Sequence, residues 1–259
     1  MKIGLCVFSA NIEKAAKAGY DYIQLPGFEV AKMNDAEFEK TAETVKNCGI
    51  PVLGFNAFCT GELPIASDGF DEAKTVDYVR LLLKRGKALG VRNFGIGAPL
   101  ARRLPAGFDM KKAWENGKSF MLAAAREALP YGVNVLVEPL NNKCCDFITT
   151  LPEGKKMADE IAMENVGMIV DFYHMTVNGE KYETAAEYIP FAKDVHISGC
   201  GEKYERPFVG EKDRASLESI AAILKKAGYD KTLSLEPDNI SDGFEEKAAE
   251  SLKLLRELF

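Results

Sequence analysis

The sequence predicts a closed (β/α)8 barrel, in which helices surround a parallel eight-stranded sheet. Three observations predict it: short apolar runs alternate with amphipathic stretches, eight such pairs occur, and the chain has 259 residues. Alternation of this kind indicates a parallel sheet, and eight strand–helix units in a chain of this length fit a closed barrel. We therefore expect one domain over residues 1–259. A doubly wound open sheet is the second possibility, but residues 8–14 (FSANIEK) lack the Gly-rich turn that such a sheet usually shows after its first strand.

Each predicted element is a short β-branched or apolar run, or a longer run with apolar residues at helical spacing. The predicted strands are residues 3–8, 22–26, 51–58, 93–98, 134–139, 166–172, 194–199 and 232–237. The predicted helices are residues 12–19, 35–48, 71–89, 111–129, 151–162, 181–189, 217–227 and 244–258. Several helices end at a glycine before the next strand, where glycine can adopt a left-handed cap. These glycines are Gly19, Gly49, Gly90 and Gly228.

Composition narrows the range of partners. The net charge is -6 and the sequence pI is about 5.2, which argues against nonspecific binding to nucleic acid or anionic membranes. Residues 2–8 lack the features of a signal peptide, and no apolar stretch is long enough to span a bilayer. We expect a cytoplasmic protein. Its six cysteines contain no C-x-x-C pair, so reduced thiols are expected.

Candidate metal ligands lie toward the carboxyl ends of four consecutive predicted strands, the fifth to the eighth. They are Glu138, Asp171, His196 and Glu236. The active sites of such barrels lie at the carboxyl ends of the strands, so these side chains should meet. Carboxylates within apolar runs are costly to bury unless they are paired or bound to metal, and three together would repel one another. Three oxygen ligands and one nitrogen suit a divalent ion such as Mn²⁺, Mg²⁺, Co²⁺ or Zn²⁺.

The two histidines of the chain, His174 and His196, both fall on this predicted rim. A single glutamate or histidine at a strand end is more often a capping, solvated or core residue than a ligand. The coincidence of both histidines with three carboxylates favours a metal site. Arg102 and Arg103, after the fourth strand, could meet a substrate phosphate, but a solvated loop is the more common setting for adjacent arginines.

Four segments of the second half together resemble a known family. They are residues 135–141 (VLVEPLN), 170–175 (VDFYHM), 194–199 (DVHISG) and 233–237 (LSLEP). The pattern is similar to the sugar phosphate isomerase/epimerase family of xylose-isomerase-like TIM barrels, which includes ketose 3-epimerases, hydroxypyruvate isomerase and inosose dehydratase. The resemblance covers the whole chain in architecture, and its specific motifs lie in the second half.

The resemblance implies a role for each matched residue. Glu138, Asp171, His196 and Glu236 would bind one divalent ion. Glu138 and Glu236 would also be the catalytic acid/base pair, while His174 and Arg206 would contact substrate oxygens. The chain departs from the family pattern in two places: Phe208 follows Pro207 where a glycine is common, and Gln24 stands where glutamate is frequent.

The implied reaction is proton transfer next to a carbonyl, through a metal-stabilised enediolate of a small sugar or sugar phosphate. Proton return to the opposite face gives an epimer, and return to the neighbouring carbon interconverts aldose and ketose. The alternative on the same site is a lyase that expels a β-hydroxyl from an inositol-like or shikimate-like ring. An abasic-site endonuclease is more remote, because a three-zinc site needs more than two histidines. A noncatalytic sugar-binding barrel would not need a complete ligand set. The resemblance also implies a homo-oligomer, because family members are often dimers or tetramers.

Overall fold

The computed structural model describes residues 1–238 and 243–259. Eight parallel strands hydrogen-bond to one another in chain order, and the last strand pairs with the first to close the barrel. The strands are β1 (Lys2–Cys6), β2 (Tyr22–Pro26), β3 (Val52–Asn56), β4 (Asn93–Ile96), β5 (Asn134–Val137), β6 (Val166–Asp171), β7 (Ala192–Ile197) and β8 (Thr232–Leu235). The predicted fold class is confirmed, and each predicted strand is present.

Helices lie between the strands. They are α1 (Ile12–Ala18), α2 (Gly27–Lys32), α3 (Asp35–Cys48), α4 (Glu72–Leu89), α5 (Met110–Ala128), α6 (Leu151–Ile161), α7 (Phe172–Asn178), α8 (Arg214–Lys226) and α9 (Phe244–Leu258). Glycine in the left-handed conformation follows α1, α3 and α4, as the sequence predicts. Among the described residues, no helix is both long enough and apolar enough to cross a membrane.

The connection between β6 and β7 differs from the prediction. The predicted helix at residues 181–189 is wrong, because this segment forms two 3-10 turns, Tyr182–Glu187 and Ile189–Phe191. The helix of this unit is instead α7, which starts directly after β6. The side chain of Asp171 accepts a hydrogen bond from the backbone N–H of Tyr173 and so caps its first turn. His174, in the first turn of α7, is buried beside Asp171.

The strands end one or two residues earlier than predicted, apart from β2, which ends where predicted. Glu138 and Glu236 therefore lie just beyond β5 and β8, whereas Asp171 and His196 lie within β6 and β7. Strand register places Asp171 beside His196 on neighbouring strands. None of the six cysteines, all of which are described, forms a disulfide.

Candidate metal centre

Four side chains predicted from the sequence converge at the carboxyl ends of β5 to β8. One ligand atom from each of Glu138, Asp171, His196 and Glu236 lies within 4.8 Å of the others. Glu138, Asp171 and His196 are buried, and the side chain of Glu236 is only 16% exposed. Three carboxylates in such a small, largely dry space would repel one another strongly without a compensating positive charge.

One buried oxygen of this cluster lacks a hydrogen-bond partner. Glu138 Oε1 accepts no hydrogen bond from any of the described residues, and the Glu138 side chain is only 4% exposed to solvent. An unsatisfied carboxylate oxygen at such depth carries a desolvation cost that a bound cation would remove. The donor set of three carboxylates and one imidazole fits a divalent ion such as Mn²⁺, Mg²⁺, Co²⁺ or Zn²⁺.

The imidazole of His196 is oriented by a carboxylate behind it. Its Nδ1 lies 3.1 Å from Glu236 Oε2, while its Nε2 lies 3.2 Å from Asp194 Oδ2. If Nε2–H donates to Asp194, the lone pair of Nδ1 faces the carboxylate cluster, as in carboxylate–histidine–metal arrangements. Gln24 in turn holds Asp194, because the Gln24 side-chain amide donates hydrogen bonds to Asp194 Oδ2 at 2.6 Å and to Ser234 Oγ at 2.7 Å.

Arg206 reaches the same cluster from the loop after β7. Its Nη2 lies 2.8 Å from Asp171 Oδ2 and 2.8 Å from Glu236 Oε2. Its Nε donates to the backbone oxygen of Glu236 at 2.9 Å, and its guanidinium stacks over the ring of Tyr173 at 4.3 Å. The loop between β7 and α8 therefore brings the side chain of Arg206 to the candidate site.

The cluster as a whole attracts positive charge. Burial raises the pKa of Glu138 above its ordinary value, opposed by the nearby imidazole of His196. Burial acts the same way on Glu236, but Arg206 and His196 outweigh it and hold that pKa below its usual value. Burial would lower the pKa of His196, yet the carboxylates around it, Glu236 foremost, raise it well above its ordinary value. A proton on His196, the guanidinium of Arg206 or a bound divalent cation can each balance the negative charge of these carboxylates.

His174 lies beside the cluster and stays neutral. Its Nδ1 accepts hydrogen bonds from Asn141, from the backbone N–H at 3.1 Å and from the side-chain amide at 2.8 Å. Its Nε2 lies 3.6 Å from Asp171 Oδ2. Burial lowers the pKa of His174 to about 4, opposed by Asp171 and helped by Arg206. The neutral ring therefore carries its proton on Nε2 and directs it toward the cluster.

Two supporting residues on the first half of the barrel were not identified from the sequence. Asn56, at the end of β3, donates a hydrogen bond to Glu236 Oε1 at 2.5 Å. Gly97, just after β4, leaves the space that the carboxylate of Glu138 fills, because a Cβ there would overlap Glu138 Oε2. A polar residue ending an apolar strand was a usable signal for Asn56, but Gly97 gave none.

The loop after β4 corrects one expectation. Arg102 is fully buried rather than solvated, because the 3-10 turn Pro99–Arg102 folds it under the barrel rim. It donates to the backbone oxygens of Glu138, at 2.8 Å, and Ile96. Arg102 is therefore engaged with the loops that carry Glu138 and is not available to a substrate phosphate. Arg103 stays half-exposed and donates to the backbone oxygen of Lys143.

Comparison with known proteins agrees with this architecture. A family model described as xylose isomerase-like TIM barrel matches residues 12–258. The chain is 25% identical over 236 residues to D-psicose 3-epimerase of Agrobacterium fabrum, covering 89% of this chain and 79% of that protein. It is 26% identical over 235 residues to D-psicose 3-epimerase of Ruminiclostridium cellulolyticum, covering 87% and 76%.

A solved structure shares the whole fold. The crystal structure of a D-psicose 3-epimerase in the presence of D-fructose superposes with a TM-score of 0.83. The alignment covers 100% of this chain and 99% of that chain at 20% sequence identity. At this identity the likeness establishes the fold, and chemistry has to be argued from the residues at the barrel mouth.

Proposed function

This chain belongs to the xylose isomerase-like TIM barrel family, and from that premise we propose that it is a divalent-metal-dependent isomerase or epimerase of a small sugar or sugar phosphate. Epimerisation of a ketose is the leading candidate reaction, because both curated relatives that align over most of their length are D-psicose 3-epimerases. The observation that carries the proposal is the cluster of three carboxylates and one imidazole with an unsatisfied buried oxygen on Glu138, as judged over the described residues.

Glu138, Asp171, His196 and Glu236 would hold the ion. When bound, it supplies Lewis-acid polarisation of a substrate carbonyl and stabilises negative charge on the neighbouring oxygens. The protein contributes the preset geometry of the ligands. Asp194 fixes the ring of His196, Asn56 orients Glu236 and the space at Gly97 admits Glu138.

Glu138 and Glu236 would move the proton. They enter the site from β5 and β8, with β6 and β7 between them, so a substrate lying across the cluster can meet one carboxylate on each side. One glutamate takes the proton from the carbon next to the carbonyl, and the other returns a proton to the opposite face of that carbon. This arrangement favours epimerisation, whereas return to the neighbouring carbon would interconvert ketose and aldose.

His174 and Arg206 would bind substrate oxygens. Nδ1 of His174 is occupied by Asn141, so Nε2–H, which lies 3.5 Å from Arg206 Nη1 and 3.6 Å from Asp171 Oδ2, is the group that would donate to a hydroxyl or carbonyl oxygen. Arg206 presents a guanidinium that is held against Tyr173 and the backbone of Glu236. Both donors lie beside Asp171, where they can fix the substrate relative to the proton-transferring carboxylates.

The proposal is tested first by metal content. Protein purified without chelator is analysed by mass spectrometry beside Glu138→Ala and a control, Glu218→Ala, which removes an exposed carboxylate on α8. We expect about one ion per chain in the wild type and the control and much less in Glu138→Ala. Absence of metal from the wild type, together with no thermal stabilisation by Mn²⁺, Mg²⁺, Co²⁺ or Zn²⁺, would overturn the proposed site.

The reaction is tested on the metal-loaded enzyme in deuterated water with D-psicose and D-fructose as first substrates. An epimerase gives the partner ketose with deuterium at the carbon that changes configuration. Deuterium at the neighbouring carbon of an aldose product would indicate an aldose–ketose isomerase. A product that has lost water, obtained with a cyclic polyol instead, would favour the lyase alternative.

A further inference from the structure

A thiol borders the candidate metal centre on the side of β1. Cys6 is the last residue of β1 and is 1% exposed. β1 pairs with β8 in a register that sets Leu5 opposite Leu235, so Cys6 and Glu236 are next to each other across the two strands. Cys6 Sγ lies within 4.8 Å of ligand atoms of both His196 and Glu236, which themselves are within that distance of each other.

This second set of ligands overlaps the first but differs from it in chemistry. His196 and Glu236 belong to both sets, whereas Cys6 stands in place of the carboxylates of Glu138 and Asp171. Oxygen-rich sites suit Mn²⁺ and Mg²⁺, while thiolate ligands select softer ions. Cysteine, histidine and glutamate are together the residue types that bind Zn²⁺ in three-ligand sites with an open fourth position.

We propose that Cys6, His196 and Glu236 form an alternative site for a thiophilic divalent cation such as Zn²⁺ or Cd²⁺, and that its occupation excludes the ion of the four-ligand site. This inference rests on the proposed function for its consequence, because the alternative site withholds Glu236 from proton transfer. Binding converts the Cys6 thiol to a thiolate and releases its proton to solvent. The geometry thus points to inhibition of the enzyme by soft metals through competition with the working ion.

Competition follows from the two shared ligands. An ion bound through Cys6 would use His196 and a carboxylate oxygen of Glu236. His196 Nδ1 lies 3.1 Å from Glu236 Oε2 and 3.5 Å from Glu138 Oε1, a carboxylate of the four-ligand set. A second divalent cation at that distance would suffer strong repulsion and would lack two of its four ligands. One ion should therefore displace the other at a ratio of one to one.

The test uses Cd²⁺ as the probe, because a thiolate bound to Cd²⁺ gives a charge-transfer absorption in the ultraviolet. Cd²⁺ is titrated into the full-length protein with and without Mn²⁺, and free Mn²⁺ is followed by electron paramagnetic resonance. The variants are Cys6→Ser, with Cys6→Ala as a second replacement should serine disturb folding. The matched control is the double variant Cys144→Ser/Cys145→Ser, which removes two neighbouring thiols away from the candidate metal centre.

The wild type and the double variant should show the thiolate absorption, and Cd²⁺ should release Mn²⁺ one for one. Replacing Cys6 should abolish the absorption and weaken Cd²⁺ binding by about tenfold or more, with a much smaller change in Mn²⁺ affinity. Absorption that persists without Cys6, or that disappears only in the double variant, would overturn the proposal. If the wild type binds Cd²⁺ through Cys6 but binds none of Mn²⁺, Mg²⁺, Co²⁺ or Zn²⁺ at the four-ligand site, the proposed function fails while the thiophilic site stands.

Discussion

The two halves of the barrel mouth contribute different kinds of residue to one site. The ends of β5 to β8 supply the ionisable groups Glu138, Asp171, His196 and Glu236. β1 to β3, and the residue directly after β4, supply the small or neutral groups Cys6, Gln24, Asn56 and Gly97. Each neutral group of the first half lies against an ionisable group of the second half or against the carboxylate that orients it.

The second half of the barrel supplies the groups that would react or bind metal, and the first half supplies groups that position them. The second half concentrates negative charge that requires a balancing positive charge. It would carry metal binding and proton transfer. The groups from the first half are not carboxylates. The amide of Asn56 orients Glu236, and the absence of a side chain at Gly97 leaves room for the carboxylate of Glu138. Variants in the second half should therefore remove function, whereas variants in the first half should weaken it.

The largest expected effect is on turnover, in the second half. Glu236→Gln keeps the size of the side chain but removes a ligand charge and a proton acceptor. We expect turnover of a ketose substrate to fall about a thousandfold or more, to near background, with the fold retained by circular dichroism. Glu29→Gln is the matched control on the first half, where Glu29 accepts hydrogen bonds from the backbone and hydroxyl of Ser9. Wild-type turnover in Glu236→Gln would contradict the acid/base role.

His174, in the second half of the barrel, is expected to make the stability of the protein depend on pH. Burial gives His174 a folded-state pKa of about 4, below its unfolded value of 6.5. Between these values the unfolded chain binds a proton that the folded chain does not, so stability falls as pH falls through that window. The full contribution is about 3 kcal/mol of unfolding free energy.

His174→Asn should remove this part of the pH dependence, as measured by urea denaturation of metal-free protein between pH 7 and pH 4. Phe55→Leu, a core change on β3 of the first half, should lower stability by an amount that stays constant over the same range. A wild-type pH profile in His174→Asn would show that the buried imidazole is not responsible.

The sequence was informative where a residue's role depends on its own strand. All eight strands and the clustering of four ionisable residues could be predicted, because an apolar run that ends in a carboxylate or imidazole is a local pattern. The helix at residues 181–189 was predicted wrongly from its composition. Asp171 both ends β6 and caps α7, so the helix begins where the sequence pattern still favours a strand.

The hydrogen bonds that support the ligands are harder to predict from the sequence, because they join residues far apart in the chain. Asn56 and Glu236 are 180 positions apart, and Gln24 and Asp194 are 170 positions apart. Nothing near Asn56 or Gln24 in the sequence indicates these partners. Arg102 was misjudged for the same reason: its acceptors are backbone oxygens, which carry no side-chain signature.

The smallest expected effect tests the first half directly. Gly97 is not held in a left-handed conformation, so its backbone tolerates alanine, and its role comes from the volume that it leaves for Glu138. In Gly97→Ala the new Cβ must push the Glu138 carboxylate away from the other ligands. We expect Mn²⁺ affinity, measured by calorimetry, to fall about tenfold to a hundredfold while the protein stays folded.

Gly95→Ala, two residues earlier on β4, is the matched control for this change. A Cβ there would press on the end of the Ile169 side chain, which can move, and on no ligand of the candidate site. It should therefore lower thermal stability and leave Mn²⁺ affinity near that of the wild type. Equal Mn²⁺ affinities in the two alanine variants would mean that the first half of the mouth does not position the ligands. Weak Mn²⁺ binding in Gly97→Ala alone would mean that the space left by Gly97, just after β4, positions Glu138 among the other ligands.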